Sequence, residues 1–566
     1  MRWRKKKIIH EIAPDEIFLD SSNLPEYDAK QFEGRVARPV GARSILTVSV
    51  VFLCVVGLFS YRAYSLEVLQ GVRFADISQN NTLEKNLIFA TRGLIYDRNG
   101  TKLAWNIAQD TATSTDGSMY ALRQYAAMPG LAHLLGFLQY PKADAKGEWW
   151  REDYSGVSGL ELSYNTQLSG TNGYTMVERD AHGAVQRENI IVPPQNGADL
   201  TLSIDADVQS KLFMLLSQHA YDEGFVGGAA VIMDVRTGQV LALTSFPEYD
   251  NQAFTNGDSA AVAAANTDPA KPLLDRAIAG LYAPGSIVKP MVAVAALDQR
   301  IISPDKQIDS IGYISVPNPY DPAHPSLFHD WTVHGWIDMR TAIAVSSDEY
   351  FYTVGGGYGG QQGLGIANID KYAALFGFGT TTGIDLQGEQ AGVVPSPAWK
   401  ALAFPQDPAW VLGDTYHSAI GQYGWQVTPI EAVRYIAAVA NGGKLLTPQL
   451  IASSTPQFTQ LPIPDSELQI IREGMRLGVT SDRSDAIEKF FDLSGIEIAG
   501  KTGTAQIGTH NQWINSWAVG FWPASDPHYA YAVVLEKAPA GTNSGAAPGL
   551  LPFFEWLIAN KPQYLQ

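Results

Sequence analysis

GGAAVIMDVRTGQVLALTSF, residues 227–246, is the stretch that first indicates a β-sheet domain. Two apolar runs flank an Arg-Thr-Gly turn, which predicts a pair of antiparallel strands. Three more strand-like runs come close together near the C-terminus, at 496–507, 515–524 and 529–537. Helical patterns occupy the segments 286–300, 338–353, 428–441 and 552–561. This order predicts an α+β domain in which distant parts of the chain share one antiparallel sheet flanked by helices.

The composition indicates a chain of several domains with an acidic surface. A length of 566 residues is too great for one compact domain, so two or three are expected. The formal net charge of −17 argues against a nucleic-acid partner, because phosphate binding needs a basic surface. Cys54 is the only cysteine, which excludes an intrachain disulfide and a thiolate zinc cluster.

One segment near the N-terminus is apolar enough to cross a membrane. Residues 44–61 contain no charged side chain, and Arg43 and Arg62 flank them. A cleaved signal peptide is the alternative, but a long polar tail precedes the segment and no clear cleavage site follows it. Residues 1–43 carry nine Lys and Arg against seven Asp and Glu. This bias favours a cytoplasmic N-terminus, with the rest of the chain outside the cytoplasm.

A candidate nucleophile stands at the start of a predicted helix. In GLYAPGSIVKP, residues 280–290, Ser286 follows a Pro-Gly turn and Lys289 comes one turn later. Free N–H groups at a helix start favour developing negative charge on the serine, and burial lowers the pKa of a lysine so that it accepts a proton. A helix cap with an exposed amine is the structural alternative. A second Ser-x-x-Lys match, Ser303 to Lys306, follows a turn and is assigned no role.

A second motif lies in TAIAVSSDEYFYTVG, residues 341–355. Ser346 and Asp348 stand near a helix start, where capping alone explains them. The functional alternative is that Ser346 relays a proton to a leaving amine while Asp348 holds Lys289 in place.

A third motif is AGKTGTAQ, residues 499–506. Lys501 lies inside an apolar strand, a position that a surface lysine would also explain. Thr502 and Thr504 alternate onto one face of the strand, where they could bind a carboxylate and a peptide backbone, and Gly503 would let a ligand come close. An extended peptide could bind along such a strand edge by β-augmentation.

Together and in this order, the three motifs resemble the signature of the class B penicillin-binding proteins, which are membrane-anchored peptidoglycan transpeptidases. RGLIYDRNGTKLA and GLELSYNTQLSG resemble the non-catalytic pedestal of that family. HDWTVHGWIDMRTAIAVSSDEYFY, GDTYHSAIGQ and TGIDLQGEQAG resemble the elongation-type members. One departure is Asp348, which stands where many members have Asn.

The resemblance implies a fold and a division of the chain. The expected fold is α+β, with a single N-terminal transmembrane helix, a β-rich pedestal and a transpeptidase domain like that of penicillin-binding proteins and β-lactamases. The expected parts are a cytoplasmic tail at 1–43, the transmembrane helix at 44–64, a dimerisation-like pedestal at 65–200 and the transpeptidase domain at 201–566.

The resemblance also implies a mechanism. Ser286 attacks the penultimate D-Ala of a stem peptide while Lys289 takes its proton. Backbone N–H groups of Ser286 and Thr504 form the oxyanion hole. Ser346 and Lys501 pass a proton to the departing D-Ala, whose carboxylate meets the two threonines of the third motif. An amine from a neighbouring strand then resolves the acyl-enzyme into a cross-link.

The expected partners follow from this reaction. They are donor and acceptor stem peptides of peptidoglycan, β-lactams that acylate the same serine, the membrane, and a membrane-embedded glycosyltransferase. No metal or organic cofactor is implied. Two alternatives stay open, a catalytically silent scaffold of the cell-wall synthesis complex and a division-type transpeptidase. A carboxypeptidase, a β-lactamase or a β-lactam sensor would need neither anchor nor pedestal.

Four side chains near the second motif raise the question of a metal, namely His324, His329, Asp330 and His334. Histidine and aspartate are zinc ligands, but this region has no cysteine and loop histidines are often merely exposed. A surface cluster is the preferred interpretation.

Overall fold

The computed structural model describes residues 41–72, 82–108, 120–145, 147–179, 185–318, 321–483, 491 and 493–566. Most of the predicted cytoplasmic tail lies outside the described residues. The chain divides into two compact units, one within Met1–Glu84 and Val177–Glu188, the other within Lys85–Met176 and Asn189–Gln566.

The first unit contains the predicted membrane helix. Helix α1, Ala42–Tyr64, continues into a π-helical turn, Ser65–Leu69, and its described side chains are almost all exposed. Within the described part of the chain, Ile45–Leu69 is the one helix long and apolar enough to cross a membrane, with 25 residues and a mean hydropathy of 2.0. It fits a single membrane anchor.

The remaining elements lie largely in the second unit. The helices are α2 Ala132–Leu135, α3 Gly159–Ser163, α4 Asn165–Ser169, α5 Ala206–Asp222, α6 Asn251–Thr255, α7 Ser259–Thr267, α8 Lys289–Asp298, α9 Met339–Ala344, α10 Asp348–Gly356, α11 Ile366–Leu375, α12 Pro397–Ala403, α13 Leu412–Ala419, α14 Pro429–Ala440, α15 Asp465–Thr480 and α16 Ala546–Asn560. Short 3-10 turns span Gly285–Val288 and Pro562–Tyr564.

Strands in chain order are β1 Thr82–Ile88, β2 Ile95–Tyr96, β3 Lys102–Ile107, β4 Leu122–Tyr125, β5 Leu138–Gln139, β6 Lys142–Ala143, β7 Trp149–Arg151, β8 Ser155–Gly156, β9 Gly173–Arg179, β10 Val185–Val192, β11 Leu200–Thr201, β12 Gly227–Asp234, β13 Val240–Phe246, β14 Ile308–Ser310, β15 Tyr313–Val316, β16 Ser326–His329, β17 Gly335–Ile337, β18 Lys444–Leu446, β19 Phe458–Gln460, β20 Ala499–Ile507, β21 Trp513–Trp522 and β22 Tyr529–Pro539.

A five-stranded antiparallel sheet organises the larger unit. Its strand order is β13-β12-β22-β21-β20, so the first hairpin and the last three strands join as the sequence predicts. Every residue of β12 is buried, because alternate side chains enter two different cores. Val231 packs in the core that includes α8 and α14, and Ile232 packs in the core that includes α5 and α16. The predicted α+β architecture, a sheet flanked by helices, is confirmed.

The helix predicted over 338–353 is interrupted. Helix α9 ends at Ala344 and α10 begins at Asp348. Ser347 is the N-cap of α10, because its hydroxyl accepts from the N–H of Tyr350 at 3.1 Å. Ser346, inside the break, has a φ of 57°, a left-handed conformation that costs energy in a residue with a Cβ. The helical segment 338–353 is therefore two helices, and the helix start that the sequence indicated near Ser346 and Asp348 is confirmed.

A buried ion cluster lies within residues 92–161 of the larger unit. Arg92 Nε lies 2.6 Å and Arg123 Nε 2.7 Å from the two carboxylate oxygens of Glu161, and all three side chains are inaccessible to solvent. Burial opposes ionisation of Glu161, but the two guanidinium groups outweigh it and lower the pKa of Glu161 below its ordinary value. The carboxylate is therefore the counter-charge that both buried guanidinium groups share.

Replacing Glu161 by Gln should destabilise this region strongly. The substitution leaves two buried guanidinium groups without a counter-charge, which we expect to cost about 3–5 kcal/mol in the free energy of unfolding. Chemical denaturation of the detergent-solubilised chain measures the difference. Glu152→Gln, at an exposed position, is the matched control. A Glu161→Gln variant as stable as this control would contradict the assignment.

Candidate active site

The structure brings residues of all three motifs to one cavity. Ser286, Ser346, Asp348, Thr502 and Thr504 line a cavity of about 1110 Å³. Ser286 and Ser346 are 60 residues apart in the chain, and the third motif lies about 155 residues further on. The two lysines of the motifs do not line the cavity but are buried beside Ser346.

Ser286 is held on a 3-10 turn that touches the sheet edge. Its neighbour Gly285 has a φ of +55°, and a Cβ there would lie 2.6 Å from the carbonyl oxygen of Thr504. Gly285 N–H donates to the carbonyl of Gly421 at 2.9 Å, and Trp517 Nε1 donates to the carbonyl of Ala283 at 2.9 Å. Only glycine lets this turn pack directly against β20.

The two lysine amines meet at one hydroxyl group. Lys289 Nζ donates to the Ser346 carbonyl at 2.6 Å and to Asp348 Oδ1 at 2.6 Å, and it lies 3.3 Å from Ser346 Oγ. Lys501 Nζ lies 2.8 Å from the same Oγ and 2.8 Å from the carbonyl oxygen of Thr502. Ser346 Oγ therefore links the first and third motifs.

The electrostatics of the two lysines differ. Burial lowers the pKa of Lys501 well below its ordinary value, the nearby charge of Lys289 lowers it further, and Asp348 opposes both. Lys289 instead forms an ion pair with Asp348. Among the described residues, no hydrogen bond joins Lys289 Nζ to Ser286 Oγ. Burial thus favours a neutral amine at Lys501, which the sequence did not predict.

Strand β20 is an edge strand, and its side chains separate by face. Thr502 and Thr504 line the cavity, while Lys501 and Gly503 are buried. A Cβ on Gly503 would lie 2.6 Å from the carbonyl oxygen of Pro284. We expected this glycine to admit a ligand. In the structure, residue 503 is glycine because β20 packs closely against the turn that carries Ser286.

Several cavity residues were not identified as functional from the sequence. They include Trp331, Tyr352, His417, Tyr423, Asn511 and Asn543. His417 and Tyr423 lie in or beside GDTYHSAIGQ, a segment that indicated the subtype but gave no sign of which side chain would face the site.

The four possible metal ligands do not gather into one site. His324 is exposed and pairs with Asp321 at 2.9 Å, whereas His334 Nε2 lies 3.5 Å from Asp330 Oδ1. Burial opposes ionisation of Asp330, but hydrogen bonds from His334, Ser347 and a backbone N–H lower its pKa to about 2. Within the described ranges, no group of three or more His, Cys, Asp or Glu side chains is arranged to hold a metal ion.

Two family models match the chain. The model described as "Penicillin binding protein transpeptidase domain" matches residues 228–552. The model described as "Penicillin-binding Protein dimerisation domain" matches residues 116–202. The first match alone covers more than half of the chain.

Named relatives agree with these matches. The chain is 32% identical over 465 residues to the peptidoglycan D,D-transpeptidase MrdA of Haemophilus influenzae, covering 76% of this chain and 68% of that protein. Its fold resembles penicillin-binding protein 2 of Helicobacter pylori, solved in complex with MreC, with a TM-score of 0.70, 25% identity and coverage of 85% and 100% of the two chains. It also resembles Pseudomonas aeruginosa penicillin-binding protein 2 in complex with WCK 5153, with a TM-score of 0.67, 29% identity and coverage of 85% and 98%.

Fold, motif order and relatives therefore agree. The chain belongs to the penicillin-binding proteins, as a class B peptidoglycan D,D-transpeptidase of the elongation type similar to penicillin-binding protein 2.

Proposed function

We propose that Ser286 is the acylated nucleophile of this D,D-transpeptidase. The observation that carries the proposal is the hydrogen-bonded chain Lys289–Ser346–Lys501, whose middle member, Ser346, lines the cavity together with Ser286. Ser286 attacks the carbonyl carbon of the penultimate D-Ala of a donor stem peptide, and the bond to the terminal D-Ala breaks.

The proton of Ser286 needs an acceptor with a free electron pair. Lys501 is the buried amine whose pKa is lowered, so it is the final acceptor. Lys289 receives the proton from Ser286 as it passes one of its own to Ser346 Oγ, and Ser346 passes its proton to Lys501. Lys501 ends as an ammonium group. This group then returns a proton through Ser346 to the departing D-Ala nitrogen.

Two threonines and two backbone groups complete the donor site. Thr502 and Thr504 face the cavity from the edge strand, where their hydroxyl groups bind the carboxylate of the terminal D-Ala. The backbone N–H groups of Ser286 and Thr504 form the oxyanion hole, which the contact of the Gly285 turn with Thr504 supports. An acceptor amine then attacks the ester and releases Ser286. β-Lactams acylate the same oxygen.

The location and partners of the chain form the second part of the proposal. The apolar helix Ile45–Leu69 is the anchor, the basic N-terminal tail lies in the cytoplasm, and the catalytic domain lies outside the cytoplasmic membrane. Residues 65–200 serve as the pedestal and 201–566 as the transpeptidase domain, which the two family matches support. A membrane-embedded glycosyltransferase that extends the glycan strand is the expected partner.

Ser286→Ala should abolish labelling by a fluorescent penicillin, because no other hydroxyl occupies its position. Ser303→Ala removes the serine of the second Ser-x-x-Lys match, which is exposed, and should label like the wild type. Gel fluorescence measures the label, and peptide mapping should place it on Ser286. A wild-type chain that takes no label would instead support the silent scaffold.

Lys501→Met should raise thermal stability while it stops acylation. The folded protein disfavours the ammonium form of Lys501, so the unfolded chain binds more protons below the ordinary lysine pKa. The wild type therefore loses stability relative to Lys501→Met as the pH falls, and the gap in Tm should narrow from pH 6 to pH 10. Lys306→Met, which removes an exposed amine, should show no such gap. A gap that does not vary with pH would contradict the lowered pKa.

A further inference from the structure

The imidazole of His417 faces the catalytic cavity but has no role in the proposed acylation of Ser286. His417 lies in the last turn of α13 and lines the cavity with Ser286. Its ring packs beside Phe328 and Tyr352, with centroids 5.4 and 6.4 Å away. Among the described residues, neither ring nitrogen has a hydrogen-bond partner. A half-buried imidazole with free nitrogens is available to a ligand.

A carboxylate oxygen is also free in this cavity. Asp348 and Asp330 are the charged residues among those that line it in the described structure. Asp330 is already occupied, because it accepts hydrogen bonds from Ser347 Oγ at 2.6 Å and from the N–H groups of Trp331 and Glu349 at 2.8 and 2.9 Å. Asp348 bonds Lys289 through Oδ1, its side chain remains 23% exposed, and no hydrogen bond from the described residues reaches Oδ2.

The charge of this wall suits an amine. Both charged lining residues are anions, and the lysines of the motifs lie outside the lining. A carboxylate oxygen and a neutral imidazole nitrogen are both hydrogen-bond acceptors, whereas an ammonium group has three donors. In the established reaction, the substrate group of that kind is the acceptor amine of the second stem peptide.

The surroundings of His417 favour its neutral form. Burial lowers its pKa, while Asp414 on its own helix and Asp348 on α10 oppose the shift. Tyr352, also on α10, faces it as a phenol whose pKa burial raises. His329 on the neighbouring strand β16 lines the same cavity from an exposed position.

Helix α11 and Tyr423 are two further places where a second base could lie. Helix α11 packs against α13 but contributes no side chain to the cavity lining. Tyr423 lines the cavity as a phenol, and burial raises its pKa. Neither supplies a second base at neutral pH.

We propose that His417 and Asp348 form the acceptor subsite, in which Asp348 Oδ2 binds the acceptor ammonium group and His417 removes one of its protons. The inference rests on the proposed function, because it requires an acyl-enzyme on Ser286. It assigns the second half of the reaction to His417, which the three motifs do not contain, and to the second carboxylate oxygen of Asp348.

The acceptor, R–NH₃⁺, gives one proton to His417 and becomes R–NH₂. Its nitrogen attacks the ester carbonyl, a C–N bond forms and the bond from carbon to Ser286 Oγ breaks. The second nitrogen proton passes through the Lys501–Ser346–Lys289 chain to Ser286 Oγ. The imidazolium then releases its proton to solvent, and the D-Ala amine freed during acylation takes one up, so a complete cross-link liberates no net proton.

The test separates acylation from transfer in the full-length, detergent-solubilised chain. The donor is a stem pentapeptide ending in D-Ala-D-Ala with its side-chain amine acetylated. The acceptors are stem tripeptides with a free side-chain amine, one with lysine and one with meso-diaminopimelate. Mass spectrometry gives the ratio of cross-linked to hydrolysed product, and fluorescent penicillin gives the acylation rate separately.

His417→Gln should lower the transfer-to-hydrolysis ratio about 100-fold at pH 7, the usual effect of losing a general base. Its penicillin acylation rate should stay at the wild-type level. The deficit should shrink toward pH 10, because the acceptor amine, with a pKa of about 10.4, then loses its proton unaided. His329→Gln removes the other imidazole of the cavity and should keep the wild-type ratio.

Three results with His417→Gln would overturn the subsite, and so would a fourth with the wild type. The first is an unchanged ratio in His417→Gln, and the second is a deficit that does not vary with pH. The third is an equal loss of penicillin acylation, which would make His417 a structural residue. A wild-type chain that binds penicillin but only hydrolyses the donor also overturns it, while one that takes no penicillin overturns the proposed function first.

Discussion

The site depends on the burial of two lysine amines against one serine hydroxyl. Two ammonium groups this close repel each other in a medium that screens charge weakly. The protein resolves the conflict unequally, since Lys289 receives the carboxylate of Asp348 while Lys501 has its pKa lowered. The result is one amine paired with a carboxylate and one amine whose neutral form is favoured, both beside Ser346 Oγ. The proposed activation of Ser286 uses this difference.

The fold supports that arrangement from two directions. Strand β20 holds Lys501 at the edge of the sheet, and the absence of a Cβ on Gly503 lets the Ser286 turn pack against it. On the other side, the break between α9 and α10 places Ser346 in a left-handed conformation that exposes its carbonyl and hydroxyl to Lys289. Ser347 secures the break, because it caps α10 and donates to Asp330.

The lining of the cavity offers two kinds of chemistry. In the proposed function, the motif residues and the edge strand bind a peptide carboxylate and a carbonyl group. In the proposed acceptor subsite, His417 and Asp348 supply hydrogen-bond acceptors and negative charge, which suit an amine. A transpeptidase must hold both kinds of group, whereas a hydrolase needs only the first. Asp348 contributes to both kinds of chemistry, since Oδ1 pairs with Lys289 and the residue also lines the cavity.

The sequence by itself determined the architecture and the membership of the site. Alternating apolar runs predict the hairpin at 227–246 and the C-terminal strands, because a strand in a packed sheet buries side chains at regular intervals. An uncharged run predicts the membrane helix, and three motifs in order predict which serines, lysines and threonines meet. Only the tertiary structure decided that burial lowers the pKa of Lys501, why residue 503 is glycine and that His417 faces the cavity. Each of these depends on distances between atoms that are far apart in the chain, and proton affinity and steric contact follow distance, not sequence position.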